Sequence, residues 1–392
     1  MQSFAPLQTQ YCAAIQADIA MRVPFVAVQT QGSEHLHSLP LPGCEYPNRV
    51  HAPIHDTPRG KMTNKLSLTL AISPYDLVSD LTAGLVVPEA IKLTSLVNMP
   101  VEEIFYRFIV NREWDVSEIS LAKYVSMRSQ GDDAFIAIPV FPSRIFRHAS
   151  LYVRRDGPVH APADLAGRRV GLPEWAQTAA VYSRGFLMHQ FGIDLASIEW
   201  VQAGVNRPGR IEKVEVCLPP GVILTRRPEA TLSDMLVAGE VDAVLSARAP
   251  ECFDEGHPNI RRLFEKFMEV ETAYYQQTSI FPIMHTVAIR GEVLDRHPWI
   301  AVNLFKAFEE ARNRSIARAL DPTHPMFPIP WCFEHARLAQ ECFGKDYWPY
   351  GIEPNRKTLE AFLRYAHEQG VCHRLLKVEE LFPKQLLSSF RI

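Results

Sequence analysis

Short apolar segments of strand length alternate with helical segments from Lys65 onward, and this alternation is the feature that most limits how the chain can fold. The first strand is predicted over 66–72, and the Ser73-Pro74 pair after it suits a helix start, so that a helix is predicted over 75–83. Further strands are predicted at 91–95, 114–120, 135–140, 149–154, 199–202, 241–246 and 280–289, and helices at 101–111, 179–191 and 231–238. The pattern predicts an α/β fold with largely parallel sheets.

Composition narrows the class of protein. The 392 residues suffice for two domains or one large one, and the 47% hydrophobic and 22% charged content is typical of a globular protein. The net charge of −3 and the lack of basic blocks interleaved with aromatic residues argue against nucleic acid as a partner. We also expect no membrane partner, because no run of about eighteen apolar residues occurs.

The seven cysteines form no CxxC pair, and their odd number and wide spacing favour reduced thiols over a disulfide framework or a zinc finger. This favours a cytoplasmic location. The first sixty residues have little periodicity and lack a signal-peptide pattern. We therefore predict that 1–61 form an irregular or disordered extension, upstream of a natural start at Met62.

A cationic segment lies between the strands at 135–140 and 149–154. It contains Arg144, Arg147 and His148 within five residues, which suits a small, doubly anionic ligand at a domain junction. The alternative is that the arginines are solvated or paired with structural carboxylates. Because side chains along a strand point alternately to its two faces, we expect only one of the two arginines to face that ligand. Which of the two it is stays open. His148 is a candidate proton donor or metal ligand, with a backbone-bonded structural histidine as the alternative.

Other candidates for substrate binding lie where strands meet helices. Arg248 directly follows the strand at 241–246, at the edge where open α/β sheets present ligands, with a structural ion pair as the alternative. Gln177 and Thr178 begin the helix at 179–191, where N–H groups favour a carboxylate, although helix capping also explains them. Arg184 lies farther along that helix and is a weaker candidate.

A last group of candidates surrounds the strand at 114–120. Glu118 could accept a phenolic proton or pair with an arginine, and Ser73 and Tyr75 follow the first strand at an equivalent place. His285 lies among apolar neighbours in the strand at 280–289, where a histidine is either a satisfied core residue or a proton donor.

Two longer segments carry a resemblance at the level of the fold. PADLAGRRVGLPE (162–174) and LSDMLVAGEVDAVLS (232–246) resemble segments of type II periplasmic binding proteins. The resemblance implies two α/β lobes joined by two crossing strands, with a central cleft for the ligand. The crossings are then expected near 142–150 and 279–287, with lobe one at 62–145 and 285–392 and lobe two at 146–284.

A narrower resemblance covers nearly all of 65–392. REWDVSEISLAKY (112–124), IPVFPSRIFRHASLYV (138–153), LPEWAQTAAVYSRGFL (172–187), TLSDMLVAGEVDAVLSARAP (231–250), TSIFPIMHTVAIR (278–290) and DYWPYGIEPNR (346–356) resemble the 4,5-dihydroxyphthalate decarboxylase family. This implies loss of CO2 from 4,5-dihydroxyphthalate to give protocatechuate, as in bacterial phthalate breakdown, with a small aromatic dicarboxylate as the partner. It assigns no catalytic roles to residues.

The chemistry of that substrate class sets expectations for the site. A hydroxyl para to the leaving carboxylate supplies electron density, so that protonation of the ring carbon and loss of CO2 need no redox cofactor. We expect an arginine to hold the retained carboxylate, and His148, His285 or Glu118 to move protons. A divalent metal held by the two histidines and Glu118 is a second option. A solute-binding protein for an aromatic acid, without catalysis, is the alternative function, and the sequence leaves a homo-oligomer open.

Overall fold

A computed structural model of the protein describes residues 65–324 and 326–387. The predicted extension at 1–61 lies outside the described residues. Within the described ranges, no helix is long and apolar enough to cross a membrane.

The first sheet has five strands in the order β2-β1-β3-β11-β4. Their bounds are β1 Leu66–Ala71, β2 Ile91–Leu96, β3 Val116–Ser120, β4 Phe135–Arg144 and β11 Ile283–Arg290. β1 runs parallel to β2 and β3, whereas β11 runs antiparallel to both β3 and β4. The late strand β11 thus returns to a sheet that is otherwise built from the beginning of the described chain.

The second sheet has six strands in the order β10-β5-β9-β6-β7-β8. Their bounds are β5 Leu151–Arg154, β6 Arg169–Leu172, β7 Glu199–Gly204, β8 Ile223–Thr231, β9 Ala243–Leu245 and β10 Ile260–Arg262. β6 to β9 form parallel pairs, and β5 runs antiparallel to β9 and β10.

Helices cover both sheets. The α-helices are α1 Asp76–Thr82, α2 Val101–Tyr106, α3 Leu121–Ser129, α4 Thr178–His189, α5 Leu232–Ala238, α6 Glu251–Asp254, α7 Phe267–Thr278, α8 Gly291–Arg296, α9 Ile300–Ala319, α10 Cys332–Phe343 and α11 Arg356–Glu368. A π-helical turn at Arg107–Asn111 continues α2, and six 3-10 turns lie at His148–Ser150, Pro162–Leu165, Leu195–Ser197, Glu353–Asn355, Val378–Glu380 and Lys384–Leu386.

Two short segments join the sheets. The chain leaves the first sheet after Arg144 and enters the second at Leu151, and it returns between the end of α7 at Thr278 and the start of β11 at Ile283. The two segments are hydrogen-bonded to each other, because the N–H of Ile145 donates to the carbonyl of Pro282 at 3.2 Å. Two sheets joined by paired crossings confirm the predicted two-lobed α/β fold.

A bulge in the first sheet follows from two prolines. Val287 pairs with Ile138 and His285 with Ser143, so that four residues of β4 lie opposite Thr286 alone. Pro139 and Pro142 occupy this stretch, and proline cannot donate to a strand ladder. Thr286 Oγ1 closes the bulge by donating to the carbonyls of Ile138 and Val140 at 3.0 and 3.2 Å.

The C-terminal part of the described chain contacts both lobes. Gln369, just after α11, accepts a hydrogen bond from Trp175 Nε1 through its carbonyl at 2.7 Å. The N–H of Cys217 donates to the carbonyl of Gly370 at 2.8 Å, whereas Tyr124 on α3 donates to the carbonyl of Leu381. The division predicted from sequence assigns all of 285–392 to lobe one, but this part also packs on lobe two.

Sequence patterns missed six elements of the described chain and misplaced the ends of others. The strands β8 and β10 and the helices α3, α6, α7 and α8 were not predicted. β8 is an edge strand with few buried side chains, and it contains Pro228 between charged residues, so that it lacks the apolar alternation of an ordinary strand. The helix predicted over 101–111 is α-helical only to Tyr106, and it ends where Arg112 adopts a left-handed conformation with φ of 54°.

Gly185 offers a test of how tightly α4 packs against α11. A methyl group at this position would lie 2.4 Å from Cδ2 of the buried Tyr365 ring. Gly→Ala in a helix interior normally stabilises by about 0.5–1 kcal/mol. Here we expect Gly185→Ala to lower the free energy of unfolding by about 1–3 kcal/mol because of overpacking, measured by urea denaturation.

The control is the same change in a Tyr365→Ala background, where the methyl group has room. There Gly185→Ala should be neutral or stabilising relative to Tyr365→Ala alone. An equal loss in both backgrounds would mean that the Tyr365 ring does not set the limit.

Candidate active site

A cleft of about 360 Å³ lies between the lobes, next to the two crossing segments. The first lobe contributes α2, the end of β3 and the first turn of α3. The second lobe contributes the start of α4, a loop near 210 and the chain after β9. The lining residues are Val101, Glu102, Phe105, Ser120, Lys123, Arg147, Glu174, Gln177, Thr178, Ala179, Arg210, Lys213, Ala247, Arg248, Met284 and His285.

His285 lies on β11 opposite the bulge in β4, and it lines the cleft. Register shifts flank it on both sides in its pairing with β4, and bulges commonly re-aim a side chain next to an active site. Its Nδ1 donates to Glu118 Oε1 at 2.6 Å, which leaves Nε2 as the free ring nitrogen. The Phe105 ring meets the imidazole edge-to-face with centroids 4.9 Å apart.

Glu118 is fully buried behind His285 and has both oxygens occupied. Oε1 also accepts from the Tyr75 hydroxyl at 2.6 Å, and Oε2 accepts from the Ser73 N–H at 2.9 Å. Burial by itself would raise the pKa of Glu118, but the hydrogen bonds and charge of His285 and the Tyr75 and Ser73 donors outweigh it and lower the pKa. Burial and the Glu118 charge raise the pKa of Tyr75, so that the phenol stays a donor.

A second buried carboxylate, Glu174, is surrounded by cations. Lys123 Nζ lies 2.5 Å from Oε2, and Arg210 Nε and Lys213 Nζ lie 2.5 and 3.8 Å from Oε1. Burial would raise the pKa of Glu174, but the three positive charges outweigh it and lower the pKa. Because Lys123 is on α3 and Glu174 follows β6, this ion pair links the two lobes.

Three other hydrogen bonds link the lobes at the cleft. The hydroxyls of Ser120 and Thr178 lie 2.9 Å apart, and Thr178 Oγ1 accepts from the Ala122 N–H at 3.0 Å. At the rim, Arg248 donates to Glu102 at 3.1 Å.

Positive charge dominates the cleft. Five lining side chains are cationic and two are carboxylates. The cations are Lys123, Arg147, Arg210, Lys213 and Arg248, and the carboxylates are Glu102 and Glu174. Because both carboxylates are already paired with cations, the cleft can accept a ligand with two negative charges. Burial lowers the pKa of Arg147 to about 10, which leaves this guanidinium charged at neutral pH.

The comparisons with known proteins agree with this chemistry. A protein from Comamonas testosteroni named 4,5-dihydroxyphthalate decarboxylase is 39% identical over 330 residues, which cover 84% of this chain and 100% of that protein. A protein of the same name from Pseudomonas putida is 39% identical over 217 residues, which cover 55% of this chain and 84% of that protein. The chain belongs to the 4,5-dihydroxyphthalate decarboxylase family. The predicted family is thus confirmed. No family model matches the chain.

Solved structures with similar folds are distant in sequence. The periplasmic aliphatic sulphonate binding protein SsuA from Escherichia coli is 12% identical, with 82% of this chain and 99% of that chain covered and a TM-score of 0.48. The desulfurization enzyme DSZB is 14% identical, with 82% and 98% covered and a TM-score of 0.44. Because both TM-scores lie below 0.5, the fold assignment rests on the sheet order and the crossings.

The structure brings five of the predicted site residues to the cleft and three to the layer behind it. Those in the cleft are Arg147, Gln177, Thr178, Arg248 and His285. Ser73, Tyr75 and Glu118 lie behind His285. Glu118 is paired with His285, Tyr75 and Ser73 instead of the arginine that was the alternative, and its acceptance of a phenolic proton stays a prediction. Arg248 lies at the rim with 69% of its side chain exposed, not in a buried site.

Three predicted residues lie elsewhere. His148 is buried against Phe186, with ring centroids 4.0 Å apart, and donates from Nε2 to Gln190 at 2.8 Å. Burial lowers its pKa to about 4, so that it is neutral and cannot act as the predicted acid. Arg184 is fully buried and donates to the carbonyl of Trp175 and to Gln369 at 2.6 and 2.8 Å, which makes it structural.

Arg144 also does not line the cleft. It lies in a separate cavity behind the crossing segments, where Nη2 donates to Asn355 Oδ1 and to the carbonyl of Pro349. Of the two arginines between which the sequence could not choose, Arg147 is therefore the one at the cleft.

The predicted metal ligand set is not assembled, because His148 lies apart from His285 and Glu118. Within the ranges that the structure describes, no group of three or more His, Cys, Asp or Glu side chains could hold a metal ion. Metal dependence stays a prediction of the sequence.

Sequence reasoning missed the cation cluster around Glu174. Arg210 and Lys213 lie in an irregular loop between β7 and β8, where no periodicity points to a site. Lys123 is in α3, which was not predicted as a helix. The one available signal was Glu174 itself, which occupies the strand-to-helix junction before α4, where ligands bind in α/β folds.

Glu174→Gln tests the buried ion pair. The change leaves Lys123 buried without its anion, and breaking a buried pair costs about 3–5 kcal/mol. We expect the free energy of unfolding at pH 7 to fall by that amount in urea denaturation. Glu269→Gln, which removes an exposed carboxylate paired with Lys266, is the control and should change it by less than about 0.5 kcal/mol.

The same pair gives a pH dependence. Because the folded pKa of Glu174 is below its ordinary value of 4.5, its stabilisation is present above pH 4.5 and is lost as pH falls through the lowered pKa. The stability gap between the native protein and Glu174→Gln should therefore narrow in acid. A gap that stays constant down to pH 3 would contradict this assignment.

Proposed function

We propose that this protein decarboxylates 4,5-dihydroxyphthalate, without oxidation, to protocatechuate and CO2. The observation that carries the proposal is a strongly cationic interlobe cleft next to a histidine held by a buried carboxylate. The names of the 39% identical relatives support the same substrate and reaction.

The cations of the cleft suit the two carboxylates of the substrate. Arg147 and Arg210 offer planar guanidinium groups that can bind a carboxylate through two parallel hydrogen bonds. Lys213 adds a point charge; burial lowers its pKa, and a bound anion would favour its charged form. Positive charge here also favours the phenolate form of a bound catechol, which supplies electrons to the ring.

His285 is suited to deliver the proton. Its Nδ1 donates to Glu118, so that Nε2–H can protonate the ring carbon that carries the leaving carboxylate. The ring then holds a dienone, the bond to the carboxylate breaks, and its electron pair restores the aromatic ring as CO2 departs. The substrate dianion gains one proton and yields one CO2 and one protocatechuate monoanion. Glu118 holds the imidazole in one orientation and stabilises its protonated form, which makes it a positioning residue.

The apolar part of the cleft suits the leaving group. Phe105, Met284 and Val101 line the side near His285. A carboxylate held against them is poorly solvated, whereas neutral CO2 is not destabilised there. Loss of charge at this end of the cleft is therefore favoured.

The direct experiment is to incubate the purified protein with 4,5-dihydroxyphthalate in D2O and follow CO2 and product. We expect protocatechuate with one deuterium ortho to its carboxylate, because the ring carbon takes its proton from an exchangeable histidine. The assay is run with a chelator and with added divalent metal. Binding without CO2 release under both conditions would favour the alternative of a solute-binding protein.

His285→Gln should lower kcat by about 10²–10⁴-fold with a small change in KM, because the proton donor is lost while the cations stay. Glu118→Gln should lower kcat by a smaller factor, since the imidazole keeps a hydrogen-bond partner but that partner no longer carries a negative charge. His189→Gln removes a surface histidine paired with Glu368 and serves as control. Native kcat in folded His285→Gln would remove this histidine from the mechanism.

A further inference from the structure

A second cavity, here called the rear cavity, lies on the other side of the crossing segments from the cleft. Its volume is about 280 Å³. The lining residues are Arg144, Tyr275, Ser279, Phe281, Phe343, Asp346, Tyr347, Pro349, Pro354, Asn355 and Thr358. None of them lines the cleft, so that the proposed decarboxylation leaves this space unexplained.

Arg144 is the buried charge of the rear cavity. Its residue is only 5% exposed, yet no carboxylate within the described ranges forms a salt bridge with it. Nη2 alone donates hydrogen bonds there, to Asn355 and Pro349, and Nε lacks a partner among the described residues. A buried charge without a counter-ion is costly. An anion in the cavity would remove that cost.

The walls of the rear cavity are aromatic. Phe281 stacks on Phe343 with centroids 5.1 Å apart and an interplanar angle of 18°, and Tyr275 meets Phe343 at 4.6 Å. The Arg144 guanidinium lies 5.2 Å from the Phe281 ring centre. Phe281 and Phe343 also stack on Phe146, so that a flat aromatic ligand would pack against the parts of these rings that face the cavity, beside the guanidinium.

The charge balance limits the ligand to one negative charge. Asp346 is the acidic lining residue, but both of its oxygens accept from Arg312 Nη1 at 3.0 Å. The charge of Asp346 reaches Arg144 only through space, so that among the described side chains of this cavity Arg144 has no carboxylate in direct contact.

We propose that the rear cavity binds a small aromatic monocarboxylate, with its carboxylate on Arg144 and its ring against Phe281 and Phe343. The ligand class follows from the lining residues alone and does not depend on the reaction at the cleft. Ser279 and Thr358 add hydroxyls at the wall for a polar substituent on the ring.

The test is ¹⁹F NMR of 4-fluorobenzoate with the full chain. Two bound signals are expected, and excess phthalate, a dianion, should displace the cleft signal first. Arg144→Gln should weaken binding at the site that gives the remaining signal by about 10–100-fold, which is the effect of losing hydrogen bonds to a charged group. Arg356→Gln, which removes a partly exposed arginine that does not line the rear cavity and is paired with Glu353 and Glu379, is the matched control and should change neither signal.

Phe343→Leu keeps Arg144 and its hydrogen bonds but removes one aromatic wall. It should weaken binding at the rear cavity by at least a few-fold and leave binding at the cleft unchanged. This variant decides between the outcomes if Arg144→Gln does not fold. A single bound signal, or a second one with native affinity in both variants, would overturn the proposal. Equal binding of cyclohexanecarboxylate would overturn the aromatic part. None of these measurements requires turnover. A failure of the proposed decarboxylation can therefore be distinguished from a failure of binding at the rear cavity.

Discussion

The arrangement of the cleft depends on the buried Glu174 carboxylate. A fully buried charge must be paired, and here its partners come from both lobes: Lys123 from α3, and Arg210 and Lys213 from the loop between β7 and β8. The pairing draws an otherwise irregular loop to the cleft and fixes three cations on its wall. It also leaves the cleft with more positive than negative side chains, since one carboxylate collects several cations. The positive charge of the cleft is thus a consequence of how the lobes are joined.

The other buried carboxylate, Glu118, places negative charge next to the cleft, whereas Glu174 collects positive charge around it. It lies on the first-lobe side behind His285 and takes hydrogen bonds from three donors, so that it stays negative although it is fully buried. The cleft therefore has negative charge behind the histidine and positive charge on the facing wall. A dianionic aromatic ring held by the cations would have its less solvated end near the imidazole and Phe105. This polarity is what makes protonation of a ring carbon, followed by departure of neutral CO2, chemically reasonable at this place.

The order of elements could be predicted from sequence, whereas the directions of side chains could not. Alternating apolar segments and long stretches similar to a known family led to the two-lobed fold and to the crossing that carries His285. The same reasoning failed for His148, Arg144 and Arg184, because a short distance along the chain from a strand end does not determine which side of a crossing a residue faces. The bulge at Pro139 and Pro142 changes the register of β4 just before Arg144, and no two-residue alternation holds across it. The Glu174 cluster was missed because its members lie in segments without periodicity.

The crossing segments connect the cleft with the rear cavity. On one segment Arg147 lines the cleft and Arg144, three residues earlier, lines the rear cavity. On the other segment Met284 lines the cleft and Phe281, three residues earlier, lines the rear cavity. A third space of about 490 Å³ lies between them, lined by residues of both, among them Arg144, Arg147 and Phe281. The backbones of the two segments are hydrogen-bonded at Ile145 and Pro282, between these residues. Because the backbones of the two segments are paired there, Arg144 and Phe281 on one side and Arg147 and His285 on the other are positioned by the same pair of segments.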